Sequence, residues 1–251
     1  MDQVVSCSRD HSIRIWDCAT GWARALAERL GCSPLSRASR VDSFLKYRYC
    51  TRSLSGHTDW VRCVASSRDG AWLASAGNDQ HVRVWNALAQ WQCACVLSGH
   101  EHVIEAIAWA PGAALSTLPA APAPPEALES APQPPAAAAP AEAATAPRAD
   151  TLATGSRDKT VRLWQVSTSQ CVMMFSHDNW VRSVAWHASS KFLISASDDR
   201  TIRVFDLKAG RRLRTMEEAH GHFVTSIALH ANGLFLASGG VDQIVKLWAC
   251  K

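Results

Sequence analysis

The sequence lacks several features that define large functional classes. No apolar run approaches the roughly 18 residues of a membrane-spanning helix, and MDQVVSCSRD has no signal-peptide pattern. The nine cysteines have no regular spacing, which favours free thiols in a reducing compartment. Cys93-x-Cys95 lacks the second pair that a zinc site requires. We therefore expect no membrane span, no disulfide framework and no metal.

Signals for cofactor chemistry and nucleic-acid binding are also missing. The chain contains no glycine-rich phosphate loop and no Gly-x-Ser-x-Gly elbow. Its net charge of +4 is small for 251 residues, and much of it falls in an insertion described below. The rest of the chain has no basic footprint for phosphate backbones. We expect no cofactor and no nucleic-acid partner.

What the sequence does contain is a repeated spacing of four residue types. An Asp recurs five times, with Trp or Phe six residues later and Ser or Thr four residues earlier. A His lies 22 residues before three of these Asp residues and 58 before a fourth, which reveals an insertion. The Asp–aromatic pairs are Asp10–Trp16, Asp79–Trp85, Asp158–Trp164, Asp199–Phe205 and Asp242–Trp248. The Ser/Thr residues are Ser6, Ser75, Thr154, Ser195 and Ser238, and the histidines are His57, His100, His177 and His220.

The period of this repeat predicts the fold. Without the insertions 22–48 and 113–148, the aromatic positions recur about every 42 residues, with Gly-His at one end and Trp-Asp-like pairs at the other. This pattern is typical of a WD-repeat β-propeller, an all-β fold of antiparallel four-stranded blades. Residues 1–251 are predicted to form three complete blades and two incomplete ones. We expect the chain to be the C-terminal part of a longer propeller.

The two insertions fall between strands. Residues 113–148 are rich in Pro and Ala and are predicted to be disordered. For residues 22–48 two explanations stay open, a segment that begins with a short helix and retained intron sequence. Both insertions are predicted to leave from one end of the blades. The other end, which carries the His-containing loops and the turns around Asp10, Asp79, Asp158, Asp199 and Asp242, is the loop face.

The recurring Ser/Thr, His and Asp residues resemble the parts of a hydrolase triad. Because the set returns in blade after blade, a structural hydrogen-bond network explains it better than an active site, and we expect no enzyme activity. Phe205 lacks the indole N–H, so the network of its blade is one donor short. That deficit costs about 1–3 kcal/mol if the acceptor stays buried and dry.

Positions that vary between the repeats on the loop face are candidates for binding a partner. They are Trp60, Arg62, Trp180 and Arg182, which follow loop histidines, and Arg9 and Arg157, which precede turn Asp residues. Trp and Arg are enriched at interface hot spots. Packing of the two tryptophans against the blade edge is the alternative explanation.

Several segments resemble the propeller of the lissencephaly, or nuclear distribution, protein family. They are SRDKTVRLWQVSTSQCVMMFSHDNWVRSVAWH, GHEHVIEAIAWAP, AHGHFVTSIALH and VDQIVKLWACK. This resemblance implies a non-catalytic regulator of cytoplasmic dynein in microtubule-based transport, nuclear positioning and cell division, located in the cytoplasm at the cytoskeleton or centrosome. The dynein-contacting positions of the family match Arg9, Arg62, Arg157 and Trp180.

The chain also departs from that family. The family's N-terminal dimerisation motif, coiled coil and first three blades have no counterpart in this sequence, so we expect that dimerisation is not encoded in it. Phe205 replaces a Trp, and Ser176 replaces the Gly of Gly-His. The alternatives are a general WD-repeat adaptor, such as a ubiquitin-ligase substrate adaptor or the non-catalytic subunit of an acetylhydrolase, and a hydrolase that uses one His/Ser/Asp set.

Overall fold

The computed structural model describes residues 3–17, 50–112 and 151–250, and over these ranges the chain forms five antiparallel β-sheets and no helix. Blade 1 comprises β1 (Gln3–Cys7), β2 (Ile13–Asp17) and β3 (Cys50–Leu54). Blade 2 comprises β4 (Val61–Ser66), β5 (Trp72–Gly77), β6 (Val82–Asn86) and β7 (Gln92–Leu97). Blade 3 comprises β8 (Ile104–Trp109), β9 (Thr151–Ser156), β10 (Thr160–Gln165) and β11 (Gln170–Ser176).

Blade 4 comprises β12 (Val181–Trp186), β13 (Phe192–Ser197), β14 (Ile202–Asp206) and β15 (Arg211–Met216). Blade 5 comprises β16 (Val224–Leu229), β17 (Phe235–Gly240) and β18 (Val245–Ala249). Each strand pairs with the next one along the chain, so every blade is a meander. The prediction of a partial WD-repeat propeller, with three four-stranded blades and two three-stranded ones, is confirmed.

Apolar layers between neighbouring blades form the core. The strand next to the innermost one is almost fully buried in the three complete blades, because a blade packs on each of its faces. Indole N–H groups join the blades directly: Trp109 Nε1 donates to the carbonyl of Ala65 at 3.0 Å, and Trp186 Nε1 to that of Ala108 at 2.9 Å. Blade 5 by contrast exposes Val245 and Leu247 by 79% and 72%. Over the described residues the core therefore consists of four apolar clusters, one between each pair of neighbouring blades, and blade 5 ends in an apolar flank.

The inserted segments 22–48 and 113–148 lie outside the described residues, so their predicted conformations stay predictions. The strands on either side of each insertion are described. Strand β2 leaves the loop face and ends at Asp17, and β8 does the same and ends at Trp109. Both strands thus end on the side of the blades opposite the loop face. Among the described residues, no helix is long and apolar enough to cross a membrane.

The glycines of the two intact Gly-His pairs have a steric role. Gly56 and Gly99 adopt φ angles of 150° and 152°, which side-chain-bearing residues rarely adopt. A Cβ on Gly99 would lie 2.9 Å from Arg162 Nη1 and 3.1 Å from Trp164 Cη2. The glycine thus makes room for the tryptophan of its own blade.

In blade 4 this arrangement changes at two positions together. Ser176 occupies the glycine position without a positive φ angle, and Phe205 replaces the tryptophan. The smaller phenyl ring lacks the outer indole atoms that approach Gly99, and it stacks on Phe175 with ring centroids 4.3 Å apart. The two departures are sterically compatible with each other. Blade 5 has a third combination, Ala219 with Trp248.

Replacement of Gly99 by Ser should lower the free energy of unfolding by about 1–3 kcal/mol, because the new side chain meets Trp164 and the backbone is strained. Urea unfolding measures this change. Gly112→Ser is the matched control, since a Cβ there has only Ser190 Oγ within reach, at 3.7 Å. Equal stability of the two variants would contradict the steric role of Gly99.

Candidate protein-binding face

The turn aspartates organise the loop face. In all five blades one carboxylate oxygen of the Asp accepts the backbone N–H two residues later, and the residue after the Asp has a φ angle of 63–69°. Asp side chains favour such turns because they can replace a backbone acceptor. The left-handed residues are His11, Gln80, Lys159, Arg200 and Gln243. Each carboxylate is thus held within its own turn, independently of the contacts that it makes with another loop.

In blades 2 to 5 the same carboxylates also hold the His-containing loops. In blade 3, His100 Nδ1 lies 2.6 Å from Asp158 Oδ2, and the backbone N–H of Glu101 donates to the same oxygen at 3.2 Å. The corresponding His–Asp distances in blades 2, 4 and 5 are 2.6, 2.9 and 2.9 Å. All four imidazole side chains are fully buried. The loop and the turn of each of these blades are therefore joined by one carboxylate, whose side chain is at most 11% exposed.

The network continues from the histidine into the blade. His100 Nε2 lies 2.7 Å from Thr154 Oγ1, and Trp164 Nε1 donates to that hydroxyl at 2.9 Å. Since a carboxylate only accepts, Nδ1 carries the proton and the hydroxyl donates to Nε2. The equivalent sets are His57–Ser75–Trp85, His177–Ser195 and His220–Ser238–Trp248. The structure thus brings together the residues in which the sequence predicts a network, and Trp16 donates to Ser6 in blade 1.

Blade 4 keeps most of this network without its tryptophan. Ser195 Oγ lies 2.6 Å from His177 Nε2, so the hydroxyl still has a partner although Phe205 offers no donor. Arg203, which is buried, donates to Asp199 Oδ2 at 3.1 Å and also pairs with Asp178. These contacts add charge-assisted hydrogen bonds to the loop of this blade.

The network residues are not placed to act as a hydrolase. The hydroxyl-bearing Ser75, Thr154 and Ser195 are fully buried, and Ser238 is 1% exposed. A nucleophile must reach its substrate, and these hydroxyls lie beneath the loops. Among the described residues, no group of three or more His, Cys, Asp or Glu side chains could hold a metal ion.

Charge and burial shift the pKa values in opposite directions within the network. Burial alone would raise the pKa of Asp158 and Asp199, but the hydrogen bonds and charge of the neighbouring histidine, together with the hydrogen bonds from Thr160 or Thr201, outweigh it and hold both pKa values well below the usual range. Burial also lowers the pKa of His177, more than the neighbouring Asp199 raises it. In blade 4 these shifts favour a neutral His177 and an ionised Asp199.

β-Bulges on the innermost strands direct side chains toward the loop face. The register of each innermost strand shifts at one residue, which has no partner on the next strand. These residues are Arg62, Glu105, Arg182 and Thr225. A bulge bends its strand and changes the direction of a side chain. The sequence predicts Arg62 and Arg182 from their spacing to the loop histidines. That spacing corresponds to the β-bulge that recurs in each innermost strand.

Arginines of one blade stack on tryptophans of the next. The guanidinium of Arg9 in blade 1 lies 4.5 Å from the ring centroid of Trp60 in blade 2, and that of Arg157 in blade 3 lies 4.4 Å from Trp180 in blade 4. At the other two blade junctions the equivalent pairs are Asn78–Val103 and Asp198–Phe223, without Arg or Trp. The two residue types thus occur together at the same junctions, with Trp60 36% exposed.

The region around Trp180 contains the densest set of the candidate residues. The Arg182 guanidinium also lies 5.1 Å from the Trp180 ring, and the His102 ring lies 6.5 Å away. Arg182 pairs with Asp198 at 2.8 Å, and Arg62 donates to Asn78 at 2.6 Å. The face therefore presents Trp180 with the guanidinium groups of Arg157 and Arg182 on its ring, and Trp60 and Arg9 form a separate pair.

Two acidic residues of this surface are not among the sequence-predicted site residues. Glu105 lies between Arg62, Arg157 and Arg182, and Asp198 pairs with Arg182 and is 4% exposed. Their repeat positions are visible in the sequence, since Glu105 is equivalent to Arg62 and Asp198 to Arg157. In the sequence, Glu105 and Asp198 stand out because each is acidic at a repeat position that is basic in other blades.

Comparison with known proteins identifies the repeat. The family model described as "WD domain, G-beta repeat" matches residues 1–17, 48–86, 143–165, 169–206 and 210–249, which is more than half of the chain. The chain belongs to the WD-repeat family. It is also 38% identical over 221 residues to the nuclear distribution protein PAC1-2 of Uncinocarpus reesii, covering 86% of this chain and 38% of that protein.

Other relatives give the same result. The chain is 34% identical over 239 residues to the nuclear distribution protein PAC1 of Ajellomyces capsulatus, which covers 86% of this chain and 48% of that protein. It is 34% identical over 223 residues to the nuclear distribution protein nudF of Emericella nidulans, covering 87% and 40%. The chain spans less than half the length of these relatives. The resemblance to nuclear distribution proteins is confirmed.

The low pKa of His177 predicts how stability depends on pH. The unfolded chain takes up a proton at His177 near pH 6.5, whereas the folded chain resists it, so the stability of the folded chain should fall as the pH drops below about 6.5. His177→Gln should reduce stability at pH 7.5, and its deficit against the wild type should shrink toward pH 5.5. Urea unfolding across this range measures both.

The control for this experiment is His11→Asn, because His11 is exposed and Asn tolerates its left-handed backbone. This variant should keep the pH dependence of the wild type. A deficit of His177→Gln that grows on acidification would show that Asp199 stabilises the imidazolium instead.

Proposed function

We propose that this chain is a non-catalytic protein-binding module that contributes to the regulation of cytoplasmic dynein. In this role it acts in microtubule-based transport and nuclear positioning, in the cytoplasm at the cytoskeleton or centrosome. The observation that carries the proposal is the cluster of Trp180, Arg157 and Arg182 on the loop face. The names of the nuclear distribution relatives support the process, since moving nuclei is a task of microtubule motors.

The chemistry of the face suits a protein partner better than a small molecule. The candidate groups are spread over blades 1 to 4, from Arg9 to Arg182. Stacked Arg–Trp pairs give rigid apolar area together with donors for carboxylates or carbonyls of a partner. The surface thus has the aromatic and arginine anchors that dominate many protein interfaces.

The loops of this surface are also held before any partner binds. The backbone N–H of Asp198 donates to the carbonyl of Trp180 at 2.9 Å, and that of Arg157 donates to Val103 at the same distance. The buried His–Asp pairs fix the same loops from below. A surface that is ordered in advance loses less conformational entropy when it binds.

Arg157→Ala and Trp180→Ala should each weaken binding to a purified cytoplasmic dynein motor domain by about tenfold or more, because both residues have the properties of interface anchors. Surface-immobilised chain and titrated motor domain give the dissociation constants. Arg212→Ala, which removes an exposed arginine from the outer strand of blade 4, is the charge-matched control and should bind like the wild type.

If Arg157→Ala and Trp180→Ala both bind the motor domain like the wild type, these residues are not part of the binding site. Binding of a different protein by the same face, with no affinity for the motor domain, would instead favour a general adaptor, such as a ubiquitin-ligase substrate adaptor or a non-catalytic acetylhydrolase subunit.

A further inference from the structure

Glu105 occupies the centre of a group of three arginines that come from three different blades. Its Oε1 accepts a hydrogen bond from Arg157 Nε at 2.5 Å and lies 3.7 Å from Arg182 Nη1. Its Oε2 lies 3.6 Å from Arg62 Nη1. The Glu105 side chain is 11% exposed, whereas the three arginine side chains are 20–29% exposed. The carboxylate is thus more enclosed than the cations around it.

The backbone around Glu105 explains why its side chain reaches this place. Glu105 is the bulged residue of β8, at the position occupied by Arg62, Arg182 and Thr225 in the other described blades. An arginine here would add a fourth cation to the group, and the resulting repulsion would spread the guanidinium groups apart. The single acidic residue among these four positions therefore allows the basic side chains to lie close together.

The three arginines depend on Glu105 to different degrees. Arg182 is also held by Asp198, and Arg62 by Asn78. For Arg157, Glu105 is the one charged side chain of the described residues in hydrogen-bond contact. The guanidinium of Arg157 at the same time lies 4.4 Å from the Trp180 ring centroid. Of the contacts made by the three arginines, the one between Arg157 and the Trp180 ring therefore depends most on the Glu105 carboxylate.

We infer that Glu105 is a positioning residue of the loop face, which holds the Arg157 guanidinium on the Trp180 ring and thereby keeps the pair in its binding geometry. This inference rests on the proposed function for its effect on partner binding, but not for its effect on the Arg157–Trp180 pair. It predicts that Glu105 strengthens binding, although its carboxylate lowers the positive charge of the three-arginine group.

The direction in which affinity changes when Glu105 is neutralised distinguishes a positioning role from a purely electrostatic one. If Glu105 influenced the partner only through its charge, its neutralisation would make the face more basic and strengthen the binding of an acidic partner surface. If Glu105 positions Arg157, neutralisation releases the guanidinium, because an amide oxygen is a weaker acceptor than a carboxylate. Binding then weakens despite the added positive charge.

Glu105→Gln tests the inference, because Gln keeps the size and one acceptor but removes the charge. The chain is labelled with 5-fluorotryptophan, and Trp180→Phe assigns the fluorine signal of Trp180. The Trp180 signal should shift in Glu105→Gln, and affinity for the dynein motor domain should fall by about tenfold. Glu101→Gln is the matched control for the fluorine signal, because Glu101 is exposed in the loop that precedes β8. Its Trp180 signal should equal that of the wild type.

The outcomes distinguish the inference from the proposed function. An unchanged Trp180 signal in Glu105→Gln overturns the positioning role, whatever the motor domain does. A shifted signal together with equal or tighter binding overturns the link between positioning and affinity. A shifted signal in a chain whose wild type does not bind the motor domain supports the positioning of Arg157 and rejects the proposed partner.

Discussion

The carboxylate of the turn Asp is the constraint on which the rest of the loop face depends. One of its oxygens completes the turn, and in blades 2 to 5 the carboxylate also accepts from a buried histidine and the following backbone N–H. A buried carboxylate is costly unless such donors surround it. Because four blades repeat the arrangement, the same small network fixes four loops at equal positions relative to their strands. The histidine in turn bonds to the Ser or Thr within the blade. In blades 2, 3 and 5 the same hydroxyl also accepts a hydrogen bond from the Trp.

The fixed loops leave the positions around them free to vary. Residues that precede the turn Asp and residues at the bulge of the innermost strand contribute little to the network, so they can differ in each blade. In this chain they form pairs across blade junctions, with Arg9 on Trp60 and Arg157 on Trp180. The carboxylate of Glu105 lies among the arginines of the second group. A repetitive scaffold thereby carries a surface that does not repeat.

The sequence allows the fold to be predicted almost completely, because the spacing of His, Ser/Thr, Asp and Trp follows directly from the hydrogen bonds within one blade. The same register predicts which residues reach the loop face. It does not predict their partners, since the contacts of Glu105 with Arg62 and Arg182 cross from one blade to the next and depend on strand bulges. The compatibility of Ser176 with Phe205 likewise depends on a backbone angle and on ring size, which spacing does not contain. The periodic spacing thus specifies the structure of one blade, whereas the contacts between blades can be identified only in the three-dimensional structure.

Hydrogen exchange at the loop amides tests most directly whether the turn Asp organises the face. The relevant amides, which donate to these carboxylates, are those of Thr58, Glu101, Asp178 and Gly221. They should exchange slowly although their residues are exposed, and Asp158→Ala should abolish the protection at Glu101 while leaving Thr58 protected. Rapid exchange of all four amides in the wild-type chain, at the rate of an unstructured loop, would contradict the account.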